Sequence, residues 1–271
     1  MTQPRFAAIQ MNSQDQIDLN LQSAYDLLQQ AAKGGCQLAV LPENFACFAP
    51  GQQRHTAQRF DEIIQTVGHW AQHLNLWIVA GSVPCDYRPD GSRIADGRVR
   101  SACMLLDPAG RVVSRYDKIH LFDVKVADGI GVYQESATFE AGRDLVTAST
   151  PFGRLGLMVC YDLRFPEQAI ELRKLGADIL TAPSAFTALT GQAHWQLLLR
   201  ARAIDSQCMV IGAGQGGSHG QRQTWGHSAI VNSWGDVVAL SEVQTPAWIS
   251  AEFQRTELDT LRRTMPLMAH R

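Results

Sequence analysis

The feature that most constrains this chain is the alternation of short apolar runs with amphipathic stretches along 271 residues. Arg5–Met11, Gln37–Leu41 and Leu76–Ala80 each read as a buried strand. Ile17–Lys33 carries Leu19, Tyr25, Leu27, Leu28 and Ala31 at helix-type spacing and stops at Gly34-Gly35. Thr56–Leu74 reads as a second helix. Val99–Leu106 and Arg111–Arg115 flank Asp107-Pro-Ala-Gly110, a turn signal that makes them a hairpin. Ser228–Asn232 and Val237–Leu240 repeat that pattern. Further strands are expected at Leu145–Ser149, Arg154–Val159, Ile179–Ala182 and Met209–Gly212, with helices at Pro166–Leu175 and Gln192–Gln207. Such interleaving specifies an α/β fold with a mixed sheet. No Pro- or Ser-rich linker or fixed-period repeat divides it, so residues 1–271 are read as one domain.

Charge and cysteine usage narrow the function classes. Lys plus Arg is 24 and Asp plus Glu is 26, a net charge of −2 with the basic residues scattered. A nucleic-acid partner would call for a basic excess, so none is expected. No apolar run approaches the ~18 residues of a membrane span. Met1–Asn12 lacks both a signal-peptide core and a small-residue cleavage site, which predicts a cytoplasmic protein. Cysteines at 36, 47, 85, 103, 160 and 208 include no C-x-x-C. In a reducing compartment they are expected as thiols, most of them buried.

One cysteine stands apart. Arg154–Val159 runs as an apolar strand into Cys160, then polar residues, then Pro166 at a helix start. A cysteine at that turn stands at a sheet's carboxyl end, where open α/β folds place ligands. The backbone N–H after it is positioned to stabilise an oxyanion. Leu38-Ala-Val-Leu-Pro-Glu43 puts a carboxylate after another buried strand, where partial desolvation makes a better base. Arg115-Tyr-Asp-Lys118 puts a lysine after a third, either solvated or paired with carboxylates. Ile119–Gly142, with Asp123, Asp128, Glu135 and Glu140, has no clear periodicity and reads as a long loop.

These segments resemble the nitrilase superfamily of carbon–nitrogen hydrolases. Glu43 in LPENF, Lys118 in YDKIHLFD and Cys160 in GLMVCYDLRFPE are similar to its Glu–Lys–Cys triad, separated by 75 and 42 residues. Glu135 in Tyr133-Gln-Glu-Ser136 matches its second glutamate. Pro183–Phe186, Thr190–Trp195, Arg200–Ile204, Trp225–Ser228 and Leu261–Pro266 extend the likeness. They look most like the Nit branch of deaminated glutathione amidases and ω-amidases.

The resemblance implies a four-layer α-β-β-α sandwich and cofactor-free, metal-free hydrolysis of a small-molecule amide by water. Cys160 would be the nucleophile, Glu43 the base, and Lys118 with the Tyr161 N–H the oxyanion donors. Glu135 would orient Lys118 or the incoming group. The expected substrate bears a carboxylate beside a terminal amide that releases ammonia through a thioester; deaminated glutathione and ω-amide keto acids both fit. Subunits would pair at least as a homodimer. Nitriles or N-carbamoyl amino acids on the same triad, and a catalytically silent binding protein, are the alternatives.

A carboxylate-bearing substrate needs a cation. Arg164 is suited to bidentate recognition, or else forms a structural salt bridge at the next helix. Phe186 and Thr187 either line the pocket or pack as ordinary loop residues. Arg200 and Arg202 cannot share a helix face, so one is expected in a buried ion pair. Gly212-Ala-Gly214-Gln-Gly-Gly217 spells G-x-G-x-x-G, yet no helix is expected after it, which disfavours a dinucleotide site. A flexible loop is the expectation there. His69 and His73 have zinc-helix spacing without the accompanying Glu, and read as surface residues.

Overall fold

The computed structural model describes residues 3–271; Met1 and Thr2, which open the expected domain and the N-terminal stretch, lie outside the described residues. The first half holds β1 (Arg5–Gln10), α1 (Ile17–Lys33), β2 (Leu38–Val40), α2 (Gln53–Gln58), α3 (Phe60–Leu74), β3 (Trp77–Cys85), β4 (Arg100–Leu106) and β5 (Val112–Asp117). A hairpin of β6 (Asp123–Val126) and β7 (Gly131–Gln134) follows. Next come β8 (Thr147–Thr150), β9 (Gly153–Leu157), α4 (Pro166–Lys174), β10 (Ile179–Ser184), α5 (Ala188–Ser206) and β11 (Met209–Gly214). The chain continues through β12 (Gly216–His219), β13 (Arg222–Trp225), β14 (Ala229–Val231), β15 (Val237–Leu240) and β16 (Ala247–Glu252) to α6 (Arg255–Thr264).

Two six-stranded sheets result, ordered β16-β1-β2-β3-β4-β5 and β15-β14-β11-β10-β9-β8. Strands β1, β2 and β3 pair in parallel, as do β9, β10 and β11, and the remaining pairs of both sheets are antiparallel. The period of two along each strand sends side chains to opposite faces. Ala7, Ile9, Ala39, Leu41, Ile78 and Ala80 pack with α1 and α3 on one side of the first sheet. Phe6, Ala8, Leu38, Val40 and Val79 share the other core with Leu155, Leu157 and Ile179 of the second sheet. Leu172 of α4 and Trp195 and Leu199 of α5 cover that sheet's far side. The layers therefore run helix, sheet, sheet, helix, the expected sandwich.

Local expectations need five corrections. Leu19 is 64% exposed, and the buried stripe of α1 is Ile17, Leu21, Ala24, Leu28 and Ala31. The helix expected over Thr56–Leu74 breaks at Arg59, whose guanidinium ties Asp18 and Glu62 across the break. Ile119–Gly142 carries the β6–β7 hairpin rather than a bare loop. The Gly-rich segment is no flexible loop either: Gly216–His219 pairs with Arg222–Trp225 in a hairpin. Finally, β16 and α6 have no counterpart in the sequence reading. Arg202 is the buried member of its pair, 3.3 Å from Asp205, while Arg200 donates to the Gly235 carbonyl. Among the described residues no helix is long and apolar enough to cross a membrane.

Candidate active site

The carboxyl ends of three strands meet at one rim. Glu43 follows β2, Cys160 follows β9, and Lys118 follows β5, which two antiparallel steps return to the direction of β3. Lys118 Nζ lies 2.8 Å from Glu43 Oε1 and 2.9 Å from both oxygens of Glu135. Lys118 is therefore paired, with 1% of its side chain accessible. Burial alone would pull its pKa down. Glu135 and Glu43 overcome that and hold the ammonium well above its ordinary range. Burial likewise raises the Glu135 carboxyl, against the pull of Lys118. Glu135 also accepts the Phe122 N–H at 2.6 Å, which fixes it on the β6–β7 hairpin's base.

Cys160 occupies the left-handed region with φ of 49°, uncommon for a residue with a Cβ and a mark of stored strain at functional turns. The turn is held from below by Asp162, fully buried, which accepts the Val159 N–H at 2.8 Å. The same carboxylate accepts the Tyr116 hydroxyl at 2.6 Å and the His120 N–H at 3.1 Å, so it joins the Cys160 and Lys118 segments. Tyr161, next in the chain on the same turn, lines the cleft. Burial raises the Cys160 thiol, and Glu43 raises it further. Lys118 and the Ala185 N–H pull the other way without cancelling this. A sulfur so placed would need a base to act as a nucleophile.

Arg164, Phe186 and Thr187 all line the cleft over this cluster. The salt bridge considered for Arg164 does not form: its hydrogen-bond partner is His194 Nδ1, 3.2 Å away, and its guanidinium lies 5.3 Å from the Phe186 ring centre. Thr187 has a second task, since its hydroxyl caps α5 by accepting the Thr190 N–H.

Several site residues escaped the sequence reading. Gln215 donates to the Glu43 carbonyl at 3.0 Å and to Ser13 Oγ at 2.9 Å, tying the glutamate's loop to the end of β11. His219 and Arg222, on the β12–β13 hairpin, also line the cleft. Only Asp162, in Cys160-Tyr-Asp162, had a visible signal: a lone acid inside the turn that carries the candidate nucleophile. Among the described residues, no three His, Cys, Asp or Glu side chains gather as a metal site. His73 instead meets the Tyr25 hydroxyl at 2.9 Å. The G-x-G-x-x-G run ends β11 and begins β12, so it offers no helix terminus to a phosphate. All six cysteines are buried and free.

The arrangement of carboxylate, ammonium and thiol around one cleft agrees with what similarity shows. A family model described as carbon-nitrogen hydrolase matches residues 5–263. The chain belongs to the carbon–nitrogen hydrolase family. It is a hydrolase of amide carbon–nitrogen bonds. A protein from Yersinia enterocolitica named deaminated glutathione amidase is 40% identical over 277 residues, spanning 100% of this chain and 93% of the relative. The crystal structure of the Caenorhabditis elegans NitFhit protein superposes with a TM-score of 0.90 at 36% identity, over 100% of this chain and 66% of that longer one. Saccharomyces cerevisiae Nit3, described as a member of branch 10 of the nitrilase superfamily, gives 0.85 at 26% identity, over 98% and 96%. This hydrolase thus shares both the fold and the family of the Nit proteins.

Proposed function

We propose that this hydrolase is a cofactor-free thiol amidase in which Cys160 attacks the substrate carbonyl. The observation that carries the reading is Lys118 clamped between Glu43 and Glu135 beside a buried thiol. Glu43 takes the thiol proton as the sulfur–carbon bond forms. Lys118 and the Tyr161 N–H stabilise the resulting oxyanion, in a site where water is largely excluded. The proton on Glu43 then passes to the leaving nitrogen, the carbon–nitrogen bond breaks and a thioester remains. Glu43 next takes a proton from water, whose oxygen attacks the thioester. The acid departs, and the proton returns to sulfur. Glu135 keeps Lys118 charged and in place, and does not exchange a proton.

Features of the cleft support a substrate class. Arg164 offers a guanidinium free of any carboxylate, suited to the carboxylate of a short keto acid acyl group. An ω-amide of such an acid releases ammonia. In deaminated glutathione the same acyl group is joined to the cysteine nitrogen, so cysteinylglycine leaves instead. Leu197, Ile204 and Trp234 form an exposed apolar strip along α5 and the β14–β15 turn, which supports a homodimer packed through α5. The chain is read as one domain acting in the cytoplasm.

The test is a turnover screen of deaminated glutathione, α-ketoglutaramate, N-carbamoyl amino acids and simple nitriles, following the acid product of each. Turnover of either keto acid amide supports the reading. Turnover of nitriles alone would overturn it, and binding without turnover would leave a silent binding protein.

A further inference from the structure

Two carboxylates, Glu43 and Glu135, meet the single ammonium of Lys118 at the floor of the cleft, a formal excess of one negative charge that disfavours an anionic substrate. Two guanidiniums offset that charge from the walls. Arg164 stands on the short turn that begins at Cys160. Arg222 stands on β13 and lines the same cleft. Neither pairs with a carboxylate among the described residues, although charged side chains in a partly enclosed site normally find one. Arg222 is held instead by rings. Its guanidinium carbon lies 5.1 Å from the centre of Tyr133 and 5.6 Å from that of Phe48. Packing on aromatic faces fixes a guanidinium plane while leaving its N–H fork free for a planar oxyanion.

A line of rings connects the two cations. Arg164 lies 5.7 Å from the Tyr161 ring, Tyr161 meets Phe122 at 5.1 Å, Phe122 meets Tyr133 at 5.1 Å, and Tyr133 carries Arg222. Cys160 sits next to Tyr161, at the Arg164 end. An acyl group held by Arg164 would leave the departing amine the ring-lined wall that ends at Arg222.

We infer that Arg222 is a second carboxylate anchor, one that reads the leaving amine, so that this hydrolase favours a dianionic amide with a carboxylate on each side of the scissile bond. The inference rests on the amidase reading above and sharpens its substrate class. Among the amides considered, deaminated glutathione has that form, with the keto acid carboxylate on one side and the glycine carboxylate on the other. α-Ketoglutaramate shares the acyl half and lacks the second carboxylate.

The test measures kcat/KM for these two substrates, and for deaminated glutathione ending in glycinamide, with the wild type, Arg222→Met, Arg222→Lys and Arg164→Met. A charge-assisted hydrogen bond is worth about 1.5–3 kcal/mol, roughly 10- to 150-fold. The ratio of deaminated glutathione to α-ketoglutaramate should fall at least about tenfold in Arg222→Met and partly recover in Arg222→Lys. The glycinamide substrate should cost the wild type a similar factor and Arg222→Met little more, because one contact cannot be lost twice. An unchanged ratio in Arg222→Met, or a ratio that falls only in Arg164→Met, would overturn the anchor. Wild-type turnover of α-ketoglutaramate without deaminated glutathione would overturn it while leaving the amidase standing. Turnover of neither would overturn the amidase reading and the anchor with it. Thermal melts verify that each variant is folded.

Discussion

Gly81 of β3 lies so close to Pro42 that a Cβ at position 81 would stand 2.0 Å from the Pro42 carbonyl oxygen and 2.4 Å from that of Leu41. The close approach falls where the β3–β4 register shifts, between Ala80 and Val83. It lets the chain after β2 turn down and carry Glu43 to Lys118. A methyl group there has backbone on its far side and no flexible side chain to displace. Gly81→Ala should therefore destabilise by at least the ~1–3 kcal/mol of an overpacked core and displace Glu43. Chemical denaturation and turnover, measured on the same preparation, check this. An unperturbed midpoint would show that the loop relaxes freely.

Catalytic variants should separate from stability variants at Cys160. Cys160→Ala should lose at least ~10³-fold in turnover, since no other group supplies the nucleophile. Glu43→Gln keeps the shape and removes the proton acceptor, at an expected cost of ~10²–10⁴-fold. Position 160 carries the left-handed backbone in either variant background, so Cys160→Gly should melt no lower than Cys160→Ala despite its smaller side chain. Differential scanning calorimetry compares the two. If the alanine variant were clearly the more stable, backbone strain at the turn would be negligible.

Asp162 predicts a different phenotype. Its carboxylate accepts from Val159, Tyr116 and His120 in a fully buried position. Asp162→Ala leaves those donors without a partner, at about 1–3 kcal/mol for each unsatisfied group. Because the network joins the Cys160 turn to the segment after Lys118, thermal stability and turnover should fall together. A variant that melts normally but turns over slowly would assign Asp162 a purely catalytic role.

His219 gives the site a pH dependence of known sign. Burial holds its pKa below the ordinary value, and Arg222 adds to the depression against the hydrogen bond to the Ser13 carbonyl. The unfolded chain binds a proton near pH 6.5, whereas the folded imidazole stays neutral below that. Stability associated with His219 is thus complete above about pH 6.5 and declines as pH falls toward the folded value. Unfolding curves at pH 7.5 and 5.5 should show a larger loss for wild type than for His219→Gln. Equal losses would mean that the hairpin tolerates the charge.

Much of the molecule was legible without coordinates. The Ile17–Lys33 helix matches residue for residue, because its apolar spacing and the Gly34-Gly35 stop act locally. Glu43 and Cys160 each follow an apolar run of an inner strand and Lys118 follows the mixed edge strand β5, so the sequence already placed three candidate groups at strand ends. Elements with weak patterns were not legible. Only one residue of β16 is buried, and α6 is a strongly polar helix that buries only Leu258, so neither offers an apolar run to read. The β12–β13 hairpin is rich in glycine and polar residues, and its order comes from contacts such as His219 Nδ1 with the Ser13 carbonyl, 206 residues away in sequence.

Sequence alone carries the alternating α/β plan, the family and the candidate reactive groups, since these depend on short-range pattern and residue type. Tertiary structure alone decided how those groups are paired and what surrounds them. Lys118 becomes a clamped cation because Glu43 and Glu135 arrive from separate loops. Arg222 faces the cleft because a hairpin folds back over Phe48 and Tyr133. Electrostatics and close packing act through space, and the spacing of residues along a chain does not record which distant groups will share a cavity.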